Sequence, residues 1–210
     1  MKFASIFVLA AFLGDASATE VQTEVQYDPM EGYTCPPGPK SGWASRGDES
    51  CKYIAPPLPV IETVGGLEIG KCYQFSSKNL GGKAFRHRGG EVWLDQKHNQ
   101  NALYRADATW KVVKGLKGDA DTVSLQASNF PSFHLRHSNF LTFAQPGAGA
   151  PYNADASFKI VQSGPHVQFE SVNLAGHMLR HTMERVKLNQ DDGTPLFAND
   201  SKFVPSQMPC

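Results

Sequence analysis

The sequence carries no excess charge of either sign: 20 Lys and Arg balance 20 Asp and Glu. Without a basic surplus to displace counterions from phosphates, neither nucleic-acid binding nor a polybasic membrane patch is expected. Long apolar runs are scarce as well. One stands at the N-terminus, "FASIFVLAAFLG", and no second follows, so no segment is expected to span a membrane. Cysteine occurs four times, at Cys35, Cys51, Cys72 and Cys210, and nowhere as CxxC, which argues against a structural zinc site. No GxSxG, no Cys–His set and no phosphate loop occurs, so the common nucleophile and nucleotide chemistries find no motif. The acidic residues are not grouped as a local pair for glycoside hydrolysis, and Asp191-Asp192 reads as a turn. No catalytic residue, metal or cofactor is expected, and hence no enzyme.

What is present begins with a leader. Lys2, the apolar run and the small residues "ASA" at 16–18 have the order of a secretory signal peptide, with cleavage after Ala18. The alternative is a buried N-terminal strand. A secreted, extracellular location follows, and in that compartment four cysteines read as two disulfides. Three pairings are open. Residues 19–66 form an irregular extension punctuated by "CPPGPKSGW" and "APPLPV", and Cys35 with Cys51 would close a short loop inside it. That interval holds Arg46-Gly47-Asp48, a three-letter adhesion motif that could address a cell-surface receptor.

From about Leu67 to Cys210 the sequence repeats itself. "NLGGKAFRHRGGEVWL", "NFPSFHLRHSNFLTF" and "NLAGHMLRHTMERVKL" each open with Asn and an apolar residue. Each reaches an apolar-Arg-His triplet ending at His87, His137 or His181. Downstream come "DATWKVV", "DASFKIV" and "DSKFVPS", starting at Asp107, Asp155 and Asp200, with His-to-Asp spacings of 18 to 20 residues. Within each copy, stretches such as "VSLQAS" and "VQFESV" alternate apolar and polar residues, the period of half-buried strands. "GG", "GPH", "DDGTP" and "GAGAP" supply turns. Short strands at regular spacing, in three copies, predict an all-β domain over 67–210, a β-trefoil of three internal repeats. In a closed barrel the first and last strands are neighbours. Cys72 lies in the first strand and Cys210 ends the chain, so these two are expected to pair, stabilising by about 3 to 5 kcal/mol.

Residues 67–206 resemble the arabinose-binding domain of α-L-arabinofuranosidase B, carbohydrate-binding module family 42. The likeness is carried by "LRH" followed by "NF.L", by the "DATF"-like segments, and by "VSLQASNFPSFHLRH" and "VQFESVNLAGHMLRH". It implies a β-trefoil that binds arabinofuranose side chains of hemicelluloses such as arabinoxylan. It also implies one pocket per copy, using His87 with Asp107, His137 with Asp155, and His181 with Asp200. The chemistry suits a sugar: a carboxylate accepts from two hydroxyls, and an imidazole donates or accepts. Tyr104 and Tyr152, each three residues before a pocket Asp, are candidate platforms for the apolar sugar face, with Phe197 in the same place in the third copy. Arg86, Arg136 and Arg180 are expected to brace the carboxylates, while Trp93, Trp110 and the Phe residues are expected in the core.

The copies are not identical. The second fits the pattern best. The third has Lys202 where the others have Thr109 and Ser157, and its sequon Asn199-Asp200-Ser201 would place a glycan beside the pocket. The first has a Gly pair after His87. "HMLRH" at 177–181 has the spacing of a helical zinc pair, yet only His181 belongs to the repeated unit; His177 falls opposite Phe133 and Lys83. The expected partner is thus an arabinose-containing polysaccharide or another glycan. The alternative is an extracellular-matrix or host-interaction protein with a lectin-like trefoil of other specificity, or adhesion through the RGD segment.

Overall fold

The structure, a computed structural model, describes residues 33–34, 52–53 and 60–210. The leader, the Cys35–Cys51 pair and Arg46-Gly47-Asp48 lie outside the described residues. In the N-terminal unit, β1 (Tyr33–Thr34) pairs antiparallel with β2 (Lys52–Tyr53).

The second unit begins at Val60, not at the expected Leu67. The difference arises because β3 (Thr63–Val64) and β4 (Leu67–Glu68) form a hairpin that packs with the domain. Leu67 is fully buried in the core, and Gly70 N donates to Val112 O at 2.7 Å. Gly65, at the hairpin turn with φ +54°, lies so close to Ile160 that a Cβ there would collide with it.

Four strands then come from each third of the domain. The first third holds β5 (Cys72–Ser77), β6 (Lys83–Arg88), β7 (Glu91–Gln96) and β8 (Trp110–Lys114). The second holds β9 (Thr122–Ala127), β10 (Phe133–Ser138), β11 (Leu141–Pro146) and β12 (Phe158–Ser163). The last holds β13 (His166–Ser171), β14 (His177–Thr182), β15 (Arg185–Gln190) and β16 (Phe203–Met208). A short helix precedes the fourth strand each time: α1 (Ala102–Asp107), α2 (Tyr152–Asp155) and α3 (Pro195–Asp200).

The all-β reading therefore holds, and the strands close into a barrel. β5 pairs with β8, β8 with β9, β9 with β12, β12 with β13, β13 with β16, and β16 with β5. This ring leaves no free edge among its members. The hairpins β6–β7, β10–β11 and β14–β15 cap one end, each joined to the next through β7–β11, β11–β15 and β15–β7 pairs.

The core is built from corresponding positions of the three thirds. Phe75, Leu125 and Phe169 are fully buried, as are Phe85, Leu135 and Leu179, and Trp110, Phe158 and Phe203. Their rings contact one another, Phe85 and Phe203 at 4.5 Å and Phe75 and Phe169 edge-on at 5.1 Å, a geometry favoured by the ring quadrupole. The expected Cys72–Cys210 disulfide is formed where β5 meets β16, with Met208 opposite Cys72 and a Cα separation of 5.2 Å.

Candidate functional site

Each site starts from a short helix. Asn101 caps α1 by accepting from Tyr104 N, and Thr194 caps α3 by accepting from Phe197 N, with Pro195 in the first turn. Residues three apart share a helix face, so Tyr104 and Asp107, Tyr152 and Asp155, and Phe197 and Asp200 all point inward and are buried.

The arginines of the central hairpin strands reach those carboxylates. Arg86 Nε and Nη2 donate to Asp107 Oδ2 at 3.3 and 2.9 Å, Arg136 Nη2 to Asp155 Oδ2 at 3.2 Å, and Arg180 Nη2 to Asp200 Oδ2 at 2.7 Å. The bracing role expected of the arginines is what these bonds perform. Each guanidinium also lies over the aromatic three residues before its Asp: Tyr104 and Tyr152 at 5.5 Å, Phe197 at 5.1 Å.

The structure thereby corrects the platform role expected of Tyr104 and Tyr152. They are 2% and 6% exposed, with one ring face under an arginine. Their hydroxyls donate to Asp95 O at 3.5 Å and Gln145 O at 2.6 Å. Burial, with Asp95 nearby, pushes the Tyr104 phenol up to about 12, and burial raises Tyr152 as well. Both therefore remain proton donors that position an arginine.

His and Asp do meet in all three thirds, but not by direct hydrogen bonds: the Nε2–Oδ1 distances are 3.9, 3.8 and 3.5 Å for His87–Asp107, His137–Asp155 and His181–Asp200. An asparagine from the following third bridges each pair. Asn129 Nδ2 donates to Asp107 Oδ1 (2.9 Å), Asn173 to Asp155 (2.8 Å) and Asn79 to Asp200 (2.7 Å). A carboxylate only accepts, so the amide nitrogen must face it and Oδ1 must face the histidine. His87, His137 and His181 thus donate from Nε2 to Asn129, Asn173 and Asn79 at 2.9, 2.9 and 2.8 Å. These asparagines were missed as site residues. Their signal was visible as the Asn opening each copy, but only folding shows that each completes the site of its neighbour.

Burial holds His137 and His181 below the ordinary histidine value, against the opposing pull of Asp155 and the Asn173 bond on one, and of Asp200 and the Met183 carbonyl on the other. His134 is lowered by burial too. Neutral rings suit a network whose carboxylates are already engaged by guanidinium groups. Ser171 Oγ lies 3.0 Å from His137 Nε2, a spacing that in isolation resembles a nucleophile and base. Ser171 is 2% exposed, however, and donates its proton to Asn173 Oδ1 at 2.8 Å. It is a brace for the asparagine, as is Ser77 for Asn79 at 2.9 Å; Ala127 stands at the corresponding place in the second third.

The remaining residues singled out in the sequence take the following places. Thr109 and Ser157 donate to Arg105 O and Asn153 O, so the residue type that Lys202 replaces is a brace at the helix end. Asn199 sits on α3, half-buried, and accepts from Lys78 Nζ at 2.8 Å. Trp93 is half-buried outside the core, flanked by Arg88 and Arg185 at 4.5 and 4.9 Å. Phe130 and Phe140 are about half exposed, unlike the core Phe residues. His177 lies on strand β14, where it stacks on Phe140 at 5.7 Å; an i, i+4 pair on a strand does not share a helix face.

A cavity of about 360 Å³ opens beside the first site. His87, Arg88 and Asp107 supply its polar edge, Phe130 and Phe133 an apolar wall, and Gly89, Gly90 and Ala144 the remainder. Asp107 accepts three hydrogen bonds, which leaves one of the roughly four lone-pair positions of a carboxylate for an incoming hydroxyl.

Residues 61–160 and 161–208 match the family model of the Alpha-L-arabinofuranosidase B (ABFB) domain. No curated protein matches the chain. Among solved structures, an arabinofuranosidase complexed with arabinofuranosyl-alpha-1,2-xylobiose is similar with a TM-score of 0.60 and 19% identity, over 67% of this chain and 31% of that one. A GH54 a-l-arabinofuranosidase soaked with a cyclic sulfate inhibitor has a TM-score of 0.62 at 18% identity, over 69% and 32%. The structure described as BEL beta-trefoil has a TM-score of 0.53 at 11% identity, over 71% of this chain and 98% of that one. The chain therefore spans about a third of the length of the arabinofuranosidases it resembles.

Proposed function

The chain belongs to the Alpha-L-arabinofuranosidase B (ABFB) domain family, and from that premise we propose that it is a secreted, non-catalytic carbohydrate-binding protein for arabinofuranose side chains of hemicelluloses such as arabinoxylan. In this reading the barrel and its three hairpins are a β-trefoil of three internal repeats, exported through the leader at residues 1–18. The observation that carries it is the Arg–Asp–Asn–His web, built three times from corresponding residues, with an open cavity against one copy.

The web does two things for a sugar. It fixes a carboxylate and an imidazole before the ligand arrives, so little rotamer entropy is lost on binding. It also leaves acceptor capacity for hydroxyls next to an aromatic wall, the combination of a few placed polar groups and apolar surface that small-ligand sites use. The web offers acceptors and braces; its one serine–histidine contact is buried and committed elsewhere.

A panel of immobilised glycans, probed with residues 19–210, tests the proposal. Selective binding to arabinofuranose-bearing glycans, weakened by Asp→Ala at positions 107, 155 or 200 in whichever site is used, supports it. Release of arabinose from arabinoxylan by the pure protein would overturn the non-catalytic reading. Binding only to other glycans, or only to cells through Arg46-Gly47-Asp48, would favour a lectin-like matrix or host-interaction protein instead.

A further inference from the structure

The three sites share one web but differ in what stands over it. The cap hairpins allow a residue-by-residue comparison, because each hairpin tip docks on the next third through the same bond. Gly90 O accepts from Ala144 N at 2.9 Å, Phe140 O from Leu188 N at 2.9 Å, and Glu184 O from Leu94 N at 2.7 Å. Gly90, Phe140 and Glu184 are therefore equivalent, as are Ala144, Leu188 and Leu94.

Beside the first site both positions are small. Gly89 and Gly90 border open space, since a Cβ on either would meet nothing within 4 Å, and Ala144 lies where the other thirds bury a leucine. Over the second site Phe140 projects from the tip and stacks on His177 of β14, rings 5.7 Å apart and 24° from parallel. Phe140 holds φ +63°, a backbone conformation unfavourable for a bulky side chain. Over the third site Glu184 pairs with Lys83 of β6. Phe133, the residue equivalent to His177 and Lys83, has only Gly90 facing it, and so forms the wall of the cavity with Phe130 at 5.3 Å.

We infer that the protein is monovalent: only the site at His87 and Asp107 is open to a terminal furanose, and the hairpin-tip residue decides this. The Phe140–His177 stack and the Lys83–Glu184 pair take the place of that cavity over the other two sites; what differs is the room beside the carboxylate and not its own exposure, which is 7% for Asp107 and 8% for Asp155. The inference rests on the sugar-binding reading of the web and deepens it by naming which copy binds. It reverses the ranking of the copies by sequence pattern, in which the second is the best match.

Titration of the full chain with methyl α-L-arabinofuranoside, read by calorimetric stoichiometry and NMR shift changes, tests it. The expected result is one ligand per chain, with shifts at Phe130, Phe133 and His87. Gly90→Phe, which copies the second third onto a backbone already at φ +79°, should abolish binding; the bulky residue at positive φ lowers the melting temperature, and a dispersed NMR spectrum shows that the chain is still folded. Ala144→Leu fills the same cavity from its floor and serves if Gly90→Phe does not fold. The double variant Phe140→Gly/Leu188→Ala should add a second ligand.

Two or three ligands on the unmodified chain overturn the inference, as does binding that survives Gly90→Phe but is lost in Asp155→Asn. If the arabinofuranoside fails but another monosaccharide binds and is displaced by Gly90→Phe, the assigned sugar falls and the open site stands. If no monosaccharide from a broad panel binds anywhere, both fall.

Discussion

Replacing Asn129 by Ala should destabilise the domain more than the equivalent change at Asn173, although the two residues make the same pair of contacts. Asn129→Ala removes the bond from His87 Nε2 (2.9 Å) and the bond to Asp107 Oδ1 (2.9 Å). His87 then has no acceptor in reach, because Asp107 lies 3.9 Å away. A neutral hydrogen bond contributes about 1 kcal/mol and one to a charged group about 1.5–3 kcal/mol. Water can enter from the neighbouring cavity, so the net loss is about 2 kcal/mol.

In Asn173→Ala the histidine keeps a partner. Ser171 Oγ is already 3.0 Å from His137 Nε2 and, freed from Asn173, can accept from it. The contacts of Asn173 with Asp155 and with the Ser171 hydroxyl are lost, from a residue that is more exposed than Asn129 and whose former partners water can reach, for about 1 kcal/mol. Urea unfolding followed by far-UV circular dichroism measures both. With an m-value of about 2 kcal/mol/M, the two midpoints should differ by about 0.5 M, Asn129→Ala being the lower. Adding Ala127→Ser to Asn129→Ala installs the missing hydroxyl and should recover part of the loss. Equal midpoints, an inverted order, or two variants that melt like the parent would refute the web as the element holding the site together.

Two further outcomes follow from the same geometry. Removing the terminal staple with Cys72→Ser/Cys210→Ser frees a loop with a sequence separation of 138 residues, and chain-entropy arithmetic puts the cost at about 5 kcal/mol; an unchanged urea midpoint would show that the β5–β16 pairing alone closes the barrel. The buried histidines make stability fall in weak acid. His134, His137 and His181 have folded pKa values below their ordinary 6.5, so the unfolded chain binds more protons between the two values. Their contribution is complete above about 6.5 and is lost as the pH drops through the folded pKa values. Calorimetric melting temperatures that rise from pH 7 to pH 5 would contradict this.

Much of the architecture was legible from local pattern. Alternation in "VSLQAS" and "VQFESV" marked β9 and β13, but both strands are largely buried on both faces, and Ser124 and Gln168 turn to Ala156 O and Ser201 Oγ instead of to water. The recurrence of Arg-His and Asp at spacings of 18 to 20 residues marked the residues that gather into each web. The short helices were less visible: four to six residues are too few for a helical period to register. That gap had a consequence. On α1 and α2 the tyrosines turn inward beneath an arginine, so a residue type that commonly covers sugars is a brace here. The aromatic rings that do border open space, Phe130 and Phe133, come from the segment that opens the second copy.

By itself the sequence determined the all-β character, the cysteines that meet at the barrel seam and the Arg, His and Asp residues that gather into each web. These follow from what each segment must bury and from residue types recurring in register. Only the tertiary structure decided how the parts combine. Each site is completed by an asparagine 36 to 102 residues away from its histidine in the chain. Its accessibility is set by a hairpin tip and a floor residue from adjacent thirds, Gly90 with Ala144 in one case and Phe140 with Leu188 in another. The reason is that closure of the barrel brings every third against its neighbour. Contacts across that seam depend on side-chain volume at positions that no local period relates.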